Sequence, residues 1–434
     1  MTSNAFVQDF LDFLKSSPTP FHAVSNMAAR LGEAGFVRLW EHDNWDVEEQ
    51  QRCYVIRNGS SIVAFCNTGD LAKGVRMVGA HTDSPCFKIK PRPERVKKGY
   101  FQLSAETYGG MLLNPWFDRD LSIAGRVTLR TADGSLAHRL IDFKRPVAVI
   151  PSLAIHLDRE ANNQRSVNAQ NDTLPVLFRT TEQEVDFRAA LSDQVALEHP
   201  GHAGAEILAF ELCLYDTQGP TVVGLNDEFI AGARLDNLAS CYIGLRALVD
   251  HPHTLPALLV CNDHEEVGSQ SAAGADGPFL RDVINRWLGN RASMTAVMNR
   301  SLLISADNAH GLHPNYVDRH DENHGPLLNG GPVIKVNQNQ RYATNSETSS
   351  LFRAICDRVE VPVQNFVSRA DMACGTTIGP ITAGEVGAKT LDVGIPQFAM
   401  HSIRETCGAA DPEYLYRALK AFFDTEDLQA EEAF

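Results

Sequence analysis

The stretch Leu258–Ser269 reads LLVCNDHEEVGS. An apolar run with the character of a buried strand stops abruptly in Asp263, His264, Glu265 and Glu266. Two adjacent glutamates at the mouth of a strand cannot both be core, and on a strand their side chains point to opposite faces. One can therefore hold something while the other does chemistry, or both can belong to a solvated acidic turn. The residues at the ends of the other apolar runs decide between these readings.

The flanking sequence alternates between the two helical and extended patterns. Helix LDNLASCYIGLRALVD (235–250) precedes strand ALLVCN, and helix FLRDVINRWLG (279–289), strand SLLISAD, helix ETSSLFRAICDRV (347–359) and strand LDVGIPQFAM (391–400) come after it. Such alternation predicts a layered α/β sheet. Two N-terminal helices precede it, the second opened by Thr19 as cap and Pro20 at the first helical position. A hairpin turning at Asn58-Gly59 and the strand VRMVGA come next. The text then changes. KIKPRPERVKKGY (88–100) is basic and proline-punctuated, as a linker or a domain crossing would be. From about residue 100 to 225 the pattern is mainly β, with a hairpin at Asp133-Gly134, a long strand EILAFELCLYD, and a polar loop from Asp158 to Asn171. The expected architecture is a three-layer α/β/α domain with a mixed sheet, made of residues 1–91 and 234–434 and interrupted by a β-rich insert, 92–233.

Bulk properties narrow the function classes. A chain of 434 residues that is 44% hydrophobic can fill a sizeable core, and its net charge of −15 opposes nucleic acid or an anionic membrane surface as a partner. No apolar run approaches the roughly 18 residues of a membrane span. The N-terminal segment reads as an amphipathic helix with Asp9 and Asp12, unlike a secretory leader. Nine scattered cysteines without a Cys-x-x-Cys pair suggest neither a disulfide framework nor a thiolate zinc site, so the cytoplasm is the expected compartment.

The residues that end the strands of the α/β part form a pattern. MVGA is followed by His81, LLVCN by Asp263–Glu266, LLISA by Asp307 and IPQFAM by His401, while Asp236 opens the helix after FIAGARL. Ligands of open α/β sheets collect at the carboxyl ends of strands, so folding can gather these residues into one crevice. Taken singly, His81 or His401 also reads as a hydrogen-bonded core histidine, and Asp236 as a helix cap. Together, two imidazoles and three carboxylates suit zinc or a similar divalent ion. His-Glu-Glu-x-Gly at 264–268 does not complete the helical His-Glu-x-x-His motif. Five ligands with one carboxylate shared would serve two ions about 3.5–4 Å apart.

Seven motifs in order strongly resemble the aspartyl aminopeptidase family of dinuclear zinc exopeptidases: GAHTDSP (79–85), ARLDN (233–237), NDHEEVGS (262–269), SADNAHGLHPNY (305–316), GPVIKVNQNQRYATN (331–345), CGTTIGPI (374–381) and AMHSIRE (399–405). The resemblance covers nearly the whole chain. It implies hydrolysis of an N-terminal residue, Asp or Glu or a broader set, from peptide substrates. It also implies two Zn2+ per subunit, replaceable by Co2+ or Mn2+, and a dimer-based cage, a dodecamer. Asp236 would bridge both metals, His81 and Asp307 complete one site, Glu266 and His401 the other, and Glu265 act as general base. Three negative ligands against two divalent ions leave the site net positive, able to polarise a peptide carbonyl. Asp83 would hold the His81 imidazole, or be a turn residue before Ser84-Pro85.

His156 in AIHLDR stays open between a core histidine, a third metal-binding histidine and a substrate contact; in the family it reaches a neighbouring subunit's active site. Lys335 reads as an edge lysine from its apolar neighbours, and by resemblance it meets the substrate's acidic side chain. His313, Gly375 and Thr376 are further candidates for the substrate pocket. A metal-dependent deacylase, a dipeptide-releasing hydrolase and a non-catalytic cage-forming relative are the competing readings.

Overall fold

The structure, a computed structural model, describes residues 4–47 and 51–428. Two compact units are present, one within residues 1–83, 220–400 and 405–434, the other of 84–219 and 401–404. The first is framed by a nine-stranded mixed sheet in the order Val37–Arg38, Arg52–Arg57, Ser61–Cys66, Ala257–Asn262, Arg76–His81, Leu302–Ala306, Lys389–Gly394, Val333–Val336 and Gln364–Val367. Ala257–Asn262, Arg76–His81, Leu302–Ala306 and Lys389–Gly394 run parallel. They read as unbroken apolar runs because both faces are covered.

The side chains of these strands alternate between two cores. Val78, Ala80, Leu259, Cys261 and Ile304 pack with helices Asn4–Ser16, Pro20–Glu33, Leu235–Asp250 and Asp411–Phe423. Met77, Leu258, Val260 and Leu303 pack instead against Phe279, Val283, Ile284 and Trp287 of helix Phe279–Leu288. The fold is thus three layers, helices on both faces of a sheet, as the alternation predicts. Thr19 caps the second helix by accepting from the His22 amide, with Pro20 at the first helical turn. Among the described residues no helix is long and apolar enough to cross a membrane.

In the second unit a six-stranded sheet, largely antiparallel hairpins, runs in the order Leu136–Asp142, Leu121–Arg130, Glu206–Asp216, Cys86–Lys97, Tyr100–Tyr108, Val176–Arg179. Three local expectations need correction. The segment that reads as a linker is strand Cys86–Lys97, paired with Tyr100–Tyr108. Its prolines, Pro91 and Pro93, fall in the irregular stretch between Ile89 and Glu94, where no ladder donor is needed. Within the β-rich region lies helix Phe187–Glu198, which buries Phe187, Leu191 and Val195 at helical spacing. The single strand expected over 391–400 divides: Lys389–Gly394 stays in the large sheet, and Pro396–Phe398 joins a five-stranded sheet with Thr221–Val223, Phe229–Gly232, Glu405–Gly408 and Ala309–His310. Cys86–Lys97 belongs wholly to the six-stranded sheet and Thr221–Val223 and Phe229–Gly232 to the five-stranded one, and the units exchange at 83/84, 219/220, 400/401 and 404/405.

Arg76 opens the central strand fully buried, and its guanidinium donates to the carbonyls of Lys73, Gly74, Thr425 and Glu426. It ties the strand to the residues beyond the last helix. Arg76→Leu removes these donations, two of them to the buried Gly74 and Thr425 carbonyls, and should destabilise the fold by roughly 3 kcal/mol. The check is the midpoint of urea unfolding, which should fall with metal content saturated.

Candidate metal centre

The central strand carries His81 at its last residue, in register with Asn262 of the neighbouring parallel strand. Just past Asn262, residues Glu265–Val267 form one 3-10 turn between His264 and Gly268, both in the left-handed backbone region. The two glutamates therefore do not lie on opposite faces of a strand. Successive residues of such a turn are about 120° apart, so both carboxylates remain at the sheet's carboxyl edge. Asp307 follows Leu302–Ala306 directly on the other side of the central strand. Its position depends on Gly394, where a Cβ would come within 1.8 Å of the Asp307 carbonyl oxygen. Asp236 sits in the first turn of helix Leu235–Asp250, which is not yet regular at Asp236 and Asn237.

These four segments bring their side chains together. His81 Nε2 lies 3.3 Å from Asp236 Oδ1, 3.7 Å from Asp307 Oδ1 and 3.9 Å from Glu265 Oε2. Two triads, His81–Asp236–Glu266 and His81–Glu265–Asp307, each offer ligand atoms all within 4.8 Å of one another. Burial opposes a charge on His81, but the negative charge of Glu265 and hydrogen bonds with Asp236, Asp307 and Asp83 outweigh it and hold the imidazole well above its ordinary range. Burial raises Glu265 to about 7, His81 works against that rise, and the charges of Asp307, Asp236 and Asp83 add to it. A carboxyl raised in this way is the expected state of an acid placed beside other carboxylates where a cation would sit. The donor set of imidazole and carboxylate fits zinc.

Asp83 does more than the spacing suggests. Its Oδ1 and Oδ2 accept from the backbone N–H groups of Glu265 and Glu266, each at 3.1 Å. The Asp83 carbonyl, 3.1 Å from His81 Nδ1, is the closer partner of the ring, with Oδ1 at 3.4 Å. One residue thus fixes the histidine and the turn bearing both glutamates. His264 Nδ1 lies 2.8 Å from Ser271 Oγ, holding the turn from the other side.

Other supports carried no signal of their own in the sequence. Buried Glu405 accepts the Asp236 amide at 3.0 Å and receives Gln397 Nε2 at 3.3 Å. Asn237 Nδ2 donates to the Ala306 carbonyl at 2.8 Å, locking the helix start to the strand before Asp307. Lys335 is buried rather than at an open edge, and its Nζ donates to Asp307 Oδ2 at 3.2 Å and the Asn308 carbonyl at 3.1 Å. Its partners lie 28 and 27 residues away in sequence, which is why an edge position is the reading that local pattern gives.

The remaining candidates are dispersed. His313 lines a cavity of about 310 Å³ with His310, Arg319, His320, Arg369 and Gly375. Its ring lies against Tyr316 and Phe398. Thr376 turns its hydroxyl to the Arg341 carbonyl at 3.1 Å. His156 and His401 both belong to the second unit. His156 is exposed in a loop, and half-buried His401 has Nδ1 2.9 Å from the Gly110 carbonyl, with its own carbonyl accepting from Leu112 at 3.0 Å.

Asp83→Ala takes away the shared acceptor of the two glutamate amides. Metal affinity, measured by competition with a chromogenic chelator, should weaken about 10- to 100-fold, the usual effect of losing such a support, while the circular dichroism spectrum is unchanged.

Residues 13–423 match the family described as aminopeptidase I zinc metalloprotease, M18. A probable M18 family aminopeptidase 2 of Pseudomonas fluorescens (strain SBW25) is 56% identical over 427 residues, 98% of this chain and 99% of the relative. The Ectopseudomonas mendocina (strain ymp) protein of the same description is 57% identical over 429 residues, 97% of this chain and 99% of its own. Among solved structures, the S. cerevisiae mApe1 dodecamer aligns with a TM-score of 0.84 at 29% identity, covering 97% of each chain. The gathered histidine and acids, and a match that spans nearly the whole chain, lead to one conclusion: the chain belongs to the M18 family of zinc aminopeptidases.

Proposed function

We propose that this M18 aminopeptidase removes the N-terminal residue of peptides with two zinc ions per subunit, and that Asp or Glu is preferred at that residue. The observation that supports the reading most is the crowding of Asp236, Glu265, Glu266 and Asp307 around His81 at the carboxyl ends of parallel strands. Asp236 would serve both ions, His81 and Asp307 would complete the hold on one, and Glu266 and His401 on the other, as the family resemblance implies. When bound, the cations polarise the scissile carbonyl and make water acidic near neutral pH. Glu265 takes the proton from the attacking water and returns it to the leaving amine nitrogen. A carboxyl raised to about 7, chiefly by burial, is suited to accept and release a proton in one cycle. Asp83 keeps Glu265 and Glu266 in place through their amides.

Support for an acidic first residue comes from the cavity beside His313, whose lining includes the cations Arg319 and Arg369, the latter paired with Asp371, together with His310 and His320. Gly375 leaves room there, and Thr376 belongs to the same loop. Lys335 adds a cation that it shares with Asp307. For assembly we propose a homo-oligomer built from dimers and closed into a dodecamer, as in S. cerevisiae mApe1. Exposed Leu153, Ile155 and Leu157 around His156 support a subunit contact there, with His156 serving a neighbour's substrate and not a metal. Nine free cysteines support a reducing, cytoplasmic setting.

Glu265→Gln should keep about two metals per chain and lose turnover by about 10²- to 10⁴-fold, the range ascribed to a positioned base; metal analysis and peptide hydrolysis check it together, and retained turnover refutes the assignment. In a screen of peptides differing only in the first residue, free-amine Asp or Glu substrates should be cleaved best and N-acetylated ones not at all. Lys335→Ala should lower the ratio of Glu- to Leu-peptide hydrolysis about tenfold, the equivalent of one charge-assisted hydrogen bond. An unchanged ratio removes Lys335 from the specificity pocket.

A further inference from the structure

A second group of metal-binding side chains lies in the first unit, at the opposite end of strand Ala257–Asn262 from the one that is in register with His81. Cys66 ends strand Ser61–Cys66, paired with Ala257 at the start of Ala257–Asn262. His251 and His253 flank Pro252 in the turn that leaves helix Leu235–Asp250 for that same strand. Cys66, His251 and His253 offer ligand atoms all within 4.8 Å of one another. The imidazole centroids are 4.3 Å apart. Phe36 and Phe423 turn edges to the two rings, so the walls are apolar.

The protonation pattern points to a missing partner. His253 Nε2 is 2.9 Å from the Leu248 carbonyl, to which it donates, leaving a lone pair at Nδ1. His251 is 3% exposed; its Nδ1 accepts the His253 amide at 2.7 Å, so the proton sits on Nε2, which is buried with no hydrogen-bond partner. A buried polar nitrogen without a partner is rare. Burial lowers His251 to about 3 and lowers His253 as well, so both rings are neutral, the form that binds metals. Burial raises the Cys66 thiol, with Arg52 working against that rise, so the thiolate forms only with a cation beside it.

We propose that Cys66, His251 and His253 form a separate site for a thiophilic divalent cation, zinc above all, that clips the end of strand Ser61–Cys66 to the turn after helix Leu235–Asp250. Three protein ligands of one thiolate and two imidazoles, with water in the fourth position, match zinc's preferences, whereas the absence of carboxylate from the set disfavours magnesium and calcium. On binding, the Cys66 thiol proton leaves to solvent as the sulfur–metal bond forms. The His251 proton moves to Nδ1 so that Nε2 can coordinate, and the His253 amide, now donating to Nδ1 at 2.7 Å, gives up that bond. The turn rearranges locally at His253.

Cobalt is the probe, because a thiolate ligand to Co2+ gives an intense near-ultraviolet charge-transfer band, and the His81 centre contains only imidazole and carboxylate donors. Full-length protein titrated with Co2+ should show one such band per chain. The band should vanish in Cys66→Ser, and cobalt affinity at the band should fall at least tenfold in His253→Ala, whose side chain is half-exposed and easier to remove. Peptide hydrolysis should persist in His253→Ala, and the band should persist in Glu265→Gln, which separates this site from the proposed catalytic one. No band after cobalt uptake overturns the proposal, as does a band of undiminished strength in folded His253→Ala or in Cys66→Ser.

Discussion

Repulsion among carboxylates around His81 is the constraint on which the structure turns. Asp236, Glu265 and Asp307 each approach His81 Nε2 within 3.9 Å, and burial, with the charges of Asp307, Asp236 and Asp83 adding to it, raises the Glu265 carboxyl. Such an arrangement costs stability unless positive charge compensates it. The protein therefore has to hold mutually repelling groups in place by force of the surrounding scaffold. A rigid parallel sheet does this better than a loop would.

The scaffold's means are specific. Asp83 accepts two adjacent amides of the glutamate turn, Glu405 accepts the Asp236 amide, and Lys335 neutralises one oxygen of Asp307. Gly394 gives the Asp307 backbone room that any side chain would close. Each support fixes a backbone position or a charge beside the gathered imidazole and carboxylates. The candidate centre of this M18 aminopeptidase thus rests on buried groups, Asp83 and Glu405 among them, that act on their neighbours' backbone.

Much of the fold was legible. Helix and strand periods gave the alternating elements, and buried parallel strands such as LLVCN are continuous apolar runs because both faces are covered. Legibility failed where a signal had two meanings. Prolines and lysines made Cys86–Lys97 resemble a linker, yet an irregular strand tolerates both. Gly394 and Ile395 looked like the interior of one strand, whereas the chain changes sheets there. Reading Glu265 and Glu266 by strand alternation gave opposite faces, and a 3-10 turn set them otherwise.

Sequence by itself determined which residues have the chemistry for a metal and that they succeed strands, since donor type and apolar period are local properties of the chain. Order and content of the motifs likewise sufficed to indicate the family. Distances were decided only by tertiary structure: that Asp83 reaches amides 182 and 183 residues on, that Lys335 is buried against Asp307, and that Cys66 meets His251 and His253. Such contacts depend on sheet order and helix placement. These arise from the packing of the whole core, and no window of neighbouring residues contains them.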